Sequence, residues 1–164
     1  MLLRHAKAEQ DFGGPDALRA LTEVGHRQSA WVGEALHGAG LVPELALVSS
    51  AVRTRETWQG LAAAFDPAPE EDVRDEIYSA GPGTVLEVVR ALDERVRTVL
   101  VVGHEPTMSR TAGVLASPVS DESLVDAVRG GIPTATFSVL ELSTPWAQLD
   151  PGTARLTDVV VAPK

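Results

Sequence analysis

Cysteine is absent from all 164 residues. Without it there is no disulfide framework, no thiolate metal site and no cysteine nucleophile. The same lack fits a cytoplasmic protein. Long apolar runs are also missing. None approaches the ~18 residues of a membrane span, so no membrane association is expected. Met1 leads within three residues to Arg4, so no secretory signal is read. Positive charge is scarce. Lys and Arg number 14 against 23 Asp and Glu, a net charge of -9 with histidine neutral. Nucleic acid is therefore excluded as a partner for the surface as a whole, although a basic pocket inside an acidic shell is not. Repeats, low-complexity tracts and linkers are lacking too. The chain reads as a single domain, 1–164. Its 44% hydrophobic content is enough for a true core.

What is present is concentrated at the ends of short apolar runs. Leu2-Leu3 leads directly to Arg4-His5. Ala46-Leu47-Val48-Ser49-Ser50 leads to Arg53, and Val99-Leu100-Val101-Val102-Gly103 leads to His104. Each run reads as a buried strand, followed at once by a cationic or potentially cationic side chain. In a parallel sheet such positions converge on the crevice beyond the carboxyl ends of the strands. Two arginines and two histidines there would make a phosphoryl site with a histidine available as nucleophile.

The remaining pattern alternates strand and helix. Strands are expected over 2–4, 45–48, 73–75 and 98–102, with later strands over 136–142 and 155–161 forming a hairpin at a sheet edge. Helices are expected over 22–37, 52–65, 84–92, 107–115 and 121–129. Thr22 suits an N-cap, and Gly38 and Gly40 a stop. Residues 6–20 and the acidic stretch 66–72 read as loops. This alternation predicts an α/β fold: a three-layer α/β/α sandwich with a mostly parallel central sheet and an antiparallel edge strand.

Leu3-Arg4-His5-Ala6 resembles the signature of the histidine phosphatase superfamily, also called phosphoglycerate-mutase-like. Ser49-Ser50-Ala51-Val52-Arg53-Thr54-Arg55-Glu56-Thr57 is similar to its second motif, and Val102-Gly103-His104-Glu105-Pro106 to its third. Arg19-Ala20-Leu21-Thr22-Glu23-Val24-Gly25 resembles the Arg-Pro-Leu-Thr-x-x-Gly segment of the small SixA-type phosphohistidine phosphatases, with Ala20 in place of proline. Family members also carry several residues before the position of Leu2. The motifs stand in order and span nearly the whole chain.

The resemblance implies a phosphatase working through a phosphohistidine intermediate on His5. Arg4, Arg53 and His104 would bind the phosphoryl group, with Arg19 at the pocket rim. No cofactor is expected. No metal is expected either, because the two arginines already supply the positive charge. An ester substrate needs a general acid, and Glu76 falls at about the family's position for one. An imidazole leaves far more readily than an alkoxide. The stretch between Thr57 and Thr98 has little room for an inserted cap, which favours phosphohistidine in a protein as substrate. The alternatives are a phosphomonoesterase acting on a small phosphate ester and a non-catalytic phosphate-binding module. Thr57 reads as buried support for the pocket, Ser49 and Ser50 as helix caps, and Lys7 and Arg55 as rim charges. His26 and His37 read as surface or capping residues.

Overall fold

A computed structural model describes residues 1–10 and 13–164. Six strands form one sheet: β1 (Leu2–Arg4), β2 (Leu45–Ser49), β3 (Glu70–Arg74), β4 (Val99–Gly103), β5 (Thr136–Leu142) and β6 (Ala154–Val161). Their order is β3-β2-β4-β1-β5-β6. The first four pair in parallel, β5 runs antiparallel to β1, and β6 runs antiparallel to β5. The expected hairpin is therefore found at the sheet edge. Its antiparallel member, β5, stands one place inside that edge.

Among the described residues, five helices cover the sheet: α1 (Glu23–Gly38), α2 (Val52–Ala62), α3 (Pro82–Arg90), α4 (Thr107–Leu115) and α5 (Glu122–Arg129). The strand period of two distributes the apolar side chains between two cores. Leu3, Ala46, Val48, Leu100 and Val102 pack against α1 and α2 through Val32, Leu36, Trp58 and Leu61. Leu2, Leu47, Val99 and Val101 pack against α3, α4 and α5 through Leu86, Val89, Met108, Leu115 and Val128. Central strands covered on both faces read as unbroken apolar runs, which is why they were visible in the sequence.

Two segments differ from expectation. The acidic stretch 66–72 is not all loop, because Glu70–Arg74 forms strand β3. This strand lies at the sheet edge, and Glu70 and Glu71 are exposed. Charge on an edge strand discourages pairing with other chains but removes the apolar signal of a strand. The loop expected over 6–20 contains a 3-10 turn, Asp16–Leu18, and a bridge between Ala8 and Leu21. Its residues Asp11 and Phe12 lie outside the described residues. Among the described residues, no helix is long and apolar enough to cross a membrane.

Candidate active site

The crevice lies where β1, β4 and β2 end side by side. Backbone contacts hold the Arg4-His5 segment from three directions. The His5 amide donates to Gly103 O at 3.0 Å. The Ala6 amide donates to Thr57 Oγ1 at 3.0 Å, and Thr57 Oγ1 donates to Arg53 O at 2.6 Å. The Ala135 amide is shared between Arg4 O at 3.2 Å and His5 O at 3.0 Å. Ala135 makes these contacts at φ 55°, a left-handed conformation unfavourable for a residue with a Cβ. A fourth hold explains Gly25. The start of α1 lies so close to the backbone after His5 that a Cβ on Gly25 would stand 2.1 Å from Lys7 O. Only glycine permits that approach.

His5 is only 8% exposed. Its Nδ1–H donates to Ala6 O at 2.7 Å, which leaves the lone pair on Nε2. Burial lowers its pKa to about 3. The Ala6 bond opposes that shift, while His104, Arg53 and Arg4 add to it. The ring is thus neutral at neutral pH, as a nucleophile must be.

His104 stands with its ring centroid 5.4 Å from that of His5. Arg53 Nη2 donates to its Nδ1 at 3.1 Å. Arginine is always a donor, so His104 carries its proton on Nε2 and donates it to Ser49 Oγ at 2.7 Å. Burial, then Arg53, lower its pKa to about 4. In this state both its ring nitrogens are already engaged, and it is neutral rather than an extra cationic donor.

Two guanidinium groups complete the crevice. Arg53, 5% exposed, reaches it from the first turn of α2. Arg4 Nη1 donates to Ile132 O at 2.5 Å. Burial lowers the Arg4 pKa, opposed by Glu105. Glu105 is turned to structural work. Its Oε1 accepts from Ile132 N at 3.0 Å and its Oε2 from Ser109 N at 3.3 Å. The Nε–H groups of Arg4 and Arg53 are buried and, among the described residues, have no hydrogen-bond partner. Orphaned cationic donors are costly unless water or an anion meets them.

The structure thus gathers Arg4, His5, Arg53 and His104. Arg19 reaches the group only through Asp16, donating to Oδ1 at 2.8 Å, while its Nη1 donates to Glu9 O at 2.8 Å. Glu76 stands apart. Its Oε1 accepts from Arg74 Nη1 at 3.3 Å on the exposed side of β3. Among the described residues no hydrogen bond joins it to the four.

Two contributors escaped the sequence. Asp16 accepts from Arg53 Nη2 through Oδ2 at 3.0 Å, and its carbonyl accepts from Arg53 Nη1 at 2.9 Å. Tyr78 OH donates to the same Oδ2 at 2.8 Å, and its ring meets His104 edge-on at 5.5 Å. The Tyr78 bond leads the effects that lower the Asp16 pKa to about 2. The one sequence signal was the spacing of Asp16 and Arg19, an i,i+3 ion pair that a 3-10 turn brings together.

A cavity of about 670 Å³ opens elsewhere, beside Leu86, Val89, Val99 and Trp146. It includes none of the four site residues.

No family model matches the chain. An uncharacterised protein of Mycobacterium tuberculosis is 36% identical over 155 residues, covering 94% of this chain and 96% of its own. A provisionally assigned phosphohistidine phosphatase SixA of Nakamurella multipartitia superposes with TM-score 0.84 at 31% identity, covering 98% and 95% of the two chains. One from Agrobacterium tumefaciens gives TM-score 0.81 at 32% identity over the same shares. A protein histidine phosphatase SixA complexed with tungstate shares the fold, with TM-score 0.78 at 22% identity over 96% and 93% of the chains. Motifs read in the sequence, the sheet order and these likenesses agree. The chain belongs to the histidine phosphatase superfamily, in its SixA-like branch, and with it to the phosphoric-group hydrolases.

Proposed function

We propose that this chain, acting as one domain, removes phosphoryl groups from phosphohistidine in proteins through an intermediate on His5. The observation that carries this reading is the state of His5. It is a neutral imidazole with Nδ1–H held by Ala6 O and a free Nε2 lone pair, set among Arg4, Arg53 and His104. Attack by Nε2 forms a P–N bond as the bond to the leaving group breaks. Water then adds to phosphorus, the P–Nε2 bond breaks, and inorganic phosphate leaves with both protons of the water. His5 returns to its starting tautomer. The arginines stabilise charge on the phosphoryl oxygens in both steps, so no metal is needed for that purpose.

The leaving group favours phosphohistidine over an ester. A substrate imidazole protonated on its remote nitrogen leaves as a neutral ring, with no proton to be supplied. An alkoxide would need an acid. Glu76 is engaged with Arg74, and Asp16, held near pKa 2, carries no proton at neutral pH. A protein partner suits a crevice at the end of the sheet, and a cytoplasmic setting suits the cysteine-free composition.

The test compares a phosphohistidine peptide with a panel of phosphate esters, using chelator-treated protein. The expected result is a higher kcat/KM on the peptide and an acid-labile, base-stable phosphoprotein on rapid quench. Preference for a small ester would overturn the substrate. Loss of activity with chelator, restored by a divalent ion, would overturn the charge assignment.

A further inference from the structure

We infer that Asp16 is a specificity-determining residue: its carboxylate at the crevice mouth favours a cationic leaving ring and rejects substrates whose leaving group is itself anionic. The inference rests on the phosphatase reading of the same crevice and deepens it.

The geometry divides Arg53 between two tasks. Nη2 donates to His104 Nδ1 at 3.1 Å on one side and to Asp16 Oδ2 at 3.0 Å on the other. Nη1 is turned to Asp16 O at 2.9 Å. The two terminal nitrogens of the guanidinium are therefore engaged by Asp16 and His104, while its Nε–H has no partner among the described residues. A phosphoryl group beside His5 meets positive charge from Arg4 and Arg53. A leaving group pointing out of the crevice meets a carboxylate instead.

That carboxylate is held as an anion in place. Arg53 Nη2, Arg19 Nε and Tyr78 OH all donate to it, at 3.0, 2.8 and 2.8 Å. Its side chain is 53% exposed, so it meets solvent as well as Arg53. Three donors from three separate segments fix its position better than a single ion pair would. Tyr78 also stands against the His104 ring, which places this arrangement beside one of the four gathered residues.

The selection follows from charge. A phosphorylated imidazole protonated on its remote nitrogen carries positive charge on the ring, and its N–H has an acceptor in Asp16. A carboxylated or multiply phosphorylated ester carries negative charge at the same place and is repelled. Partly exposed unit charges a few ångströms apart are worth about a tenfold change in each direction.

The experiment uses the full chain with Asp16→Asn and Asp16→Glu. Substrates are a phosphohistidine peptide, p-nitrophenyl phosphate and 3-phosphoglycerate, with inorganic phosphate as inhibitor. In Asp16→Asn, kcat/KM should fall about tenfold on the peptide and rise about tenfold on 3-phosphoglycerate, with the aryl ester between. Asp16→Glu should return the preference toward wild type. Equal changes on all three substrates, or uniformly tighter phosphate inhibition with all activities rising together, would mean that Asp16 merely competes for Arg53, and would overturn the inference. Wild-type protein that ignores the peptide while cleaving esters would overturn the substrate reading itself, a result visible before any variant is made.

Discussion

The body of the central strands and their carboxyl ends both hold buried side chains, and the two are chemically opposite. At the amino ends and in mid-strand, Leu47, Leu100 and Val101 are at most 1% exposed and entirely apolar. At the carboxyl ends, Ser49, His5 and Arg53 are 0%, 8% and 5% exposed and entirely polar. The apolar end gains free energy from burial, about 25 cal/mol for each Å² removed from water. The polar end loses it: two histidines are held neutral, and two guanidinium Nε–H groups have no partner among the described residues. One end therefore supports the fold and the other is supported by it, and substitutions should separate the two.

The largest separation is expected at His5. His5→Ala should lower turnover by roughly a thousandfold or more, since loss of a nucleophile removes the chemical step. Phosphate should still bind, more weakly, and the unfolding midpoint should stay level or rise. Near-wild-type hydrolysis by the variant would remove His5 from the nucleophile's role.

Leu100→Ala reverses the pattern within β4. It should cost about 2–5 kcal/mol of stability by leaving a cavity under α1 and α2. The folded fraction should keep kcat/KM within about twofold. A large kinetic loss at full folding would show that the two ends are not separable.

Acid should weaken the polar end. His5 and His104 have folded pKa values of about 3 and about 4, against about 6.5 when unfolded. As pH falls through 6.5 the unfolded chain takes up protons that the native state refuses. Stability is thus full above pH 6.5 and declines toward pH 3. Urea midpoints at pH 7.5 and 4.5 should differ in wild type and differ less in His5→Gln. Parallel slopes would contradict the stated origin of the shift.

The smallest effect is expected at Glu76. Glu76→Gln breaks an exposed pair with Arg74 and should change stability by less than about 1 kcal/mol. Activity on a phosphohistidine peptide should stay within about twofold. A loss of roughly 100-fold would bring its carboxylate into the reaction as a general acid.

The contrast between the strand ends was legible in the sequence because it is local. Apolar runs broken by Arg4-His5, by Ser49-Ser50 with Arg53, and by Gly103-His104 place polarity at a strand end without knowledge of the fold. Gly25 was legible only as a motif position; its reason, the approach of α1 to Lys7 O, is a distance between segments. Strand β3 was legible only at its end, as the strand expected over 73–75, since Glu70, Glu71 and Asp72 give the start of this edge strand the composition of a loop. Glu76 and Asp16 make the sharpest pair. Glu76 stands where spacing suggested an acid, yet its partner is Arg74. Asp16, from a segment read as loop, meets Arg53 across 37 positions of sequence and Tyr78 across 62.

The sequence by itself determined the layered α/β order and the identity of the four residues that gather at the strand ends. Each is written in residue type and period, which act over a few neighbours. Only the tertiary structure decided which nitrogen of each histidine carries the proton, which acid meets Arg53, and that several separate segments hold Arg4-His5 in place. Those are matters of hydrogen-bond direction and burial between distant segments, and no local pattern carries them.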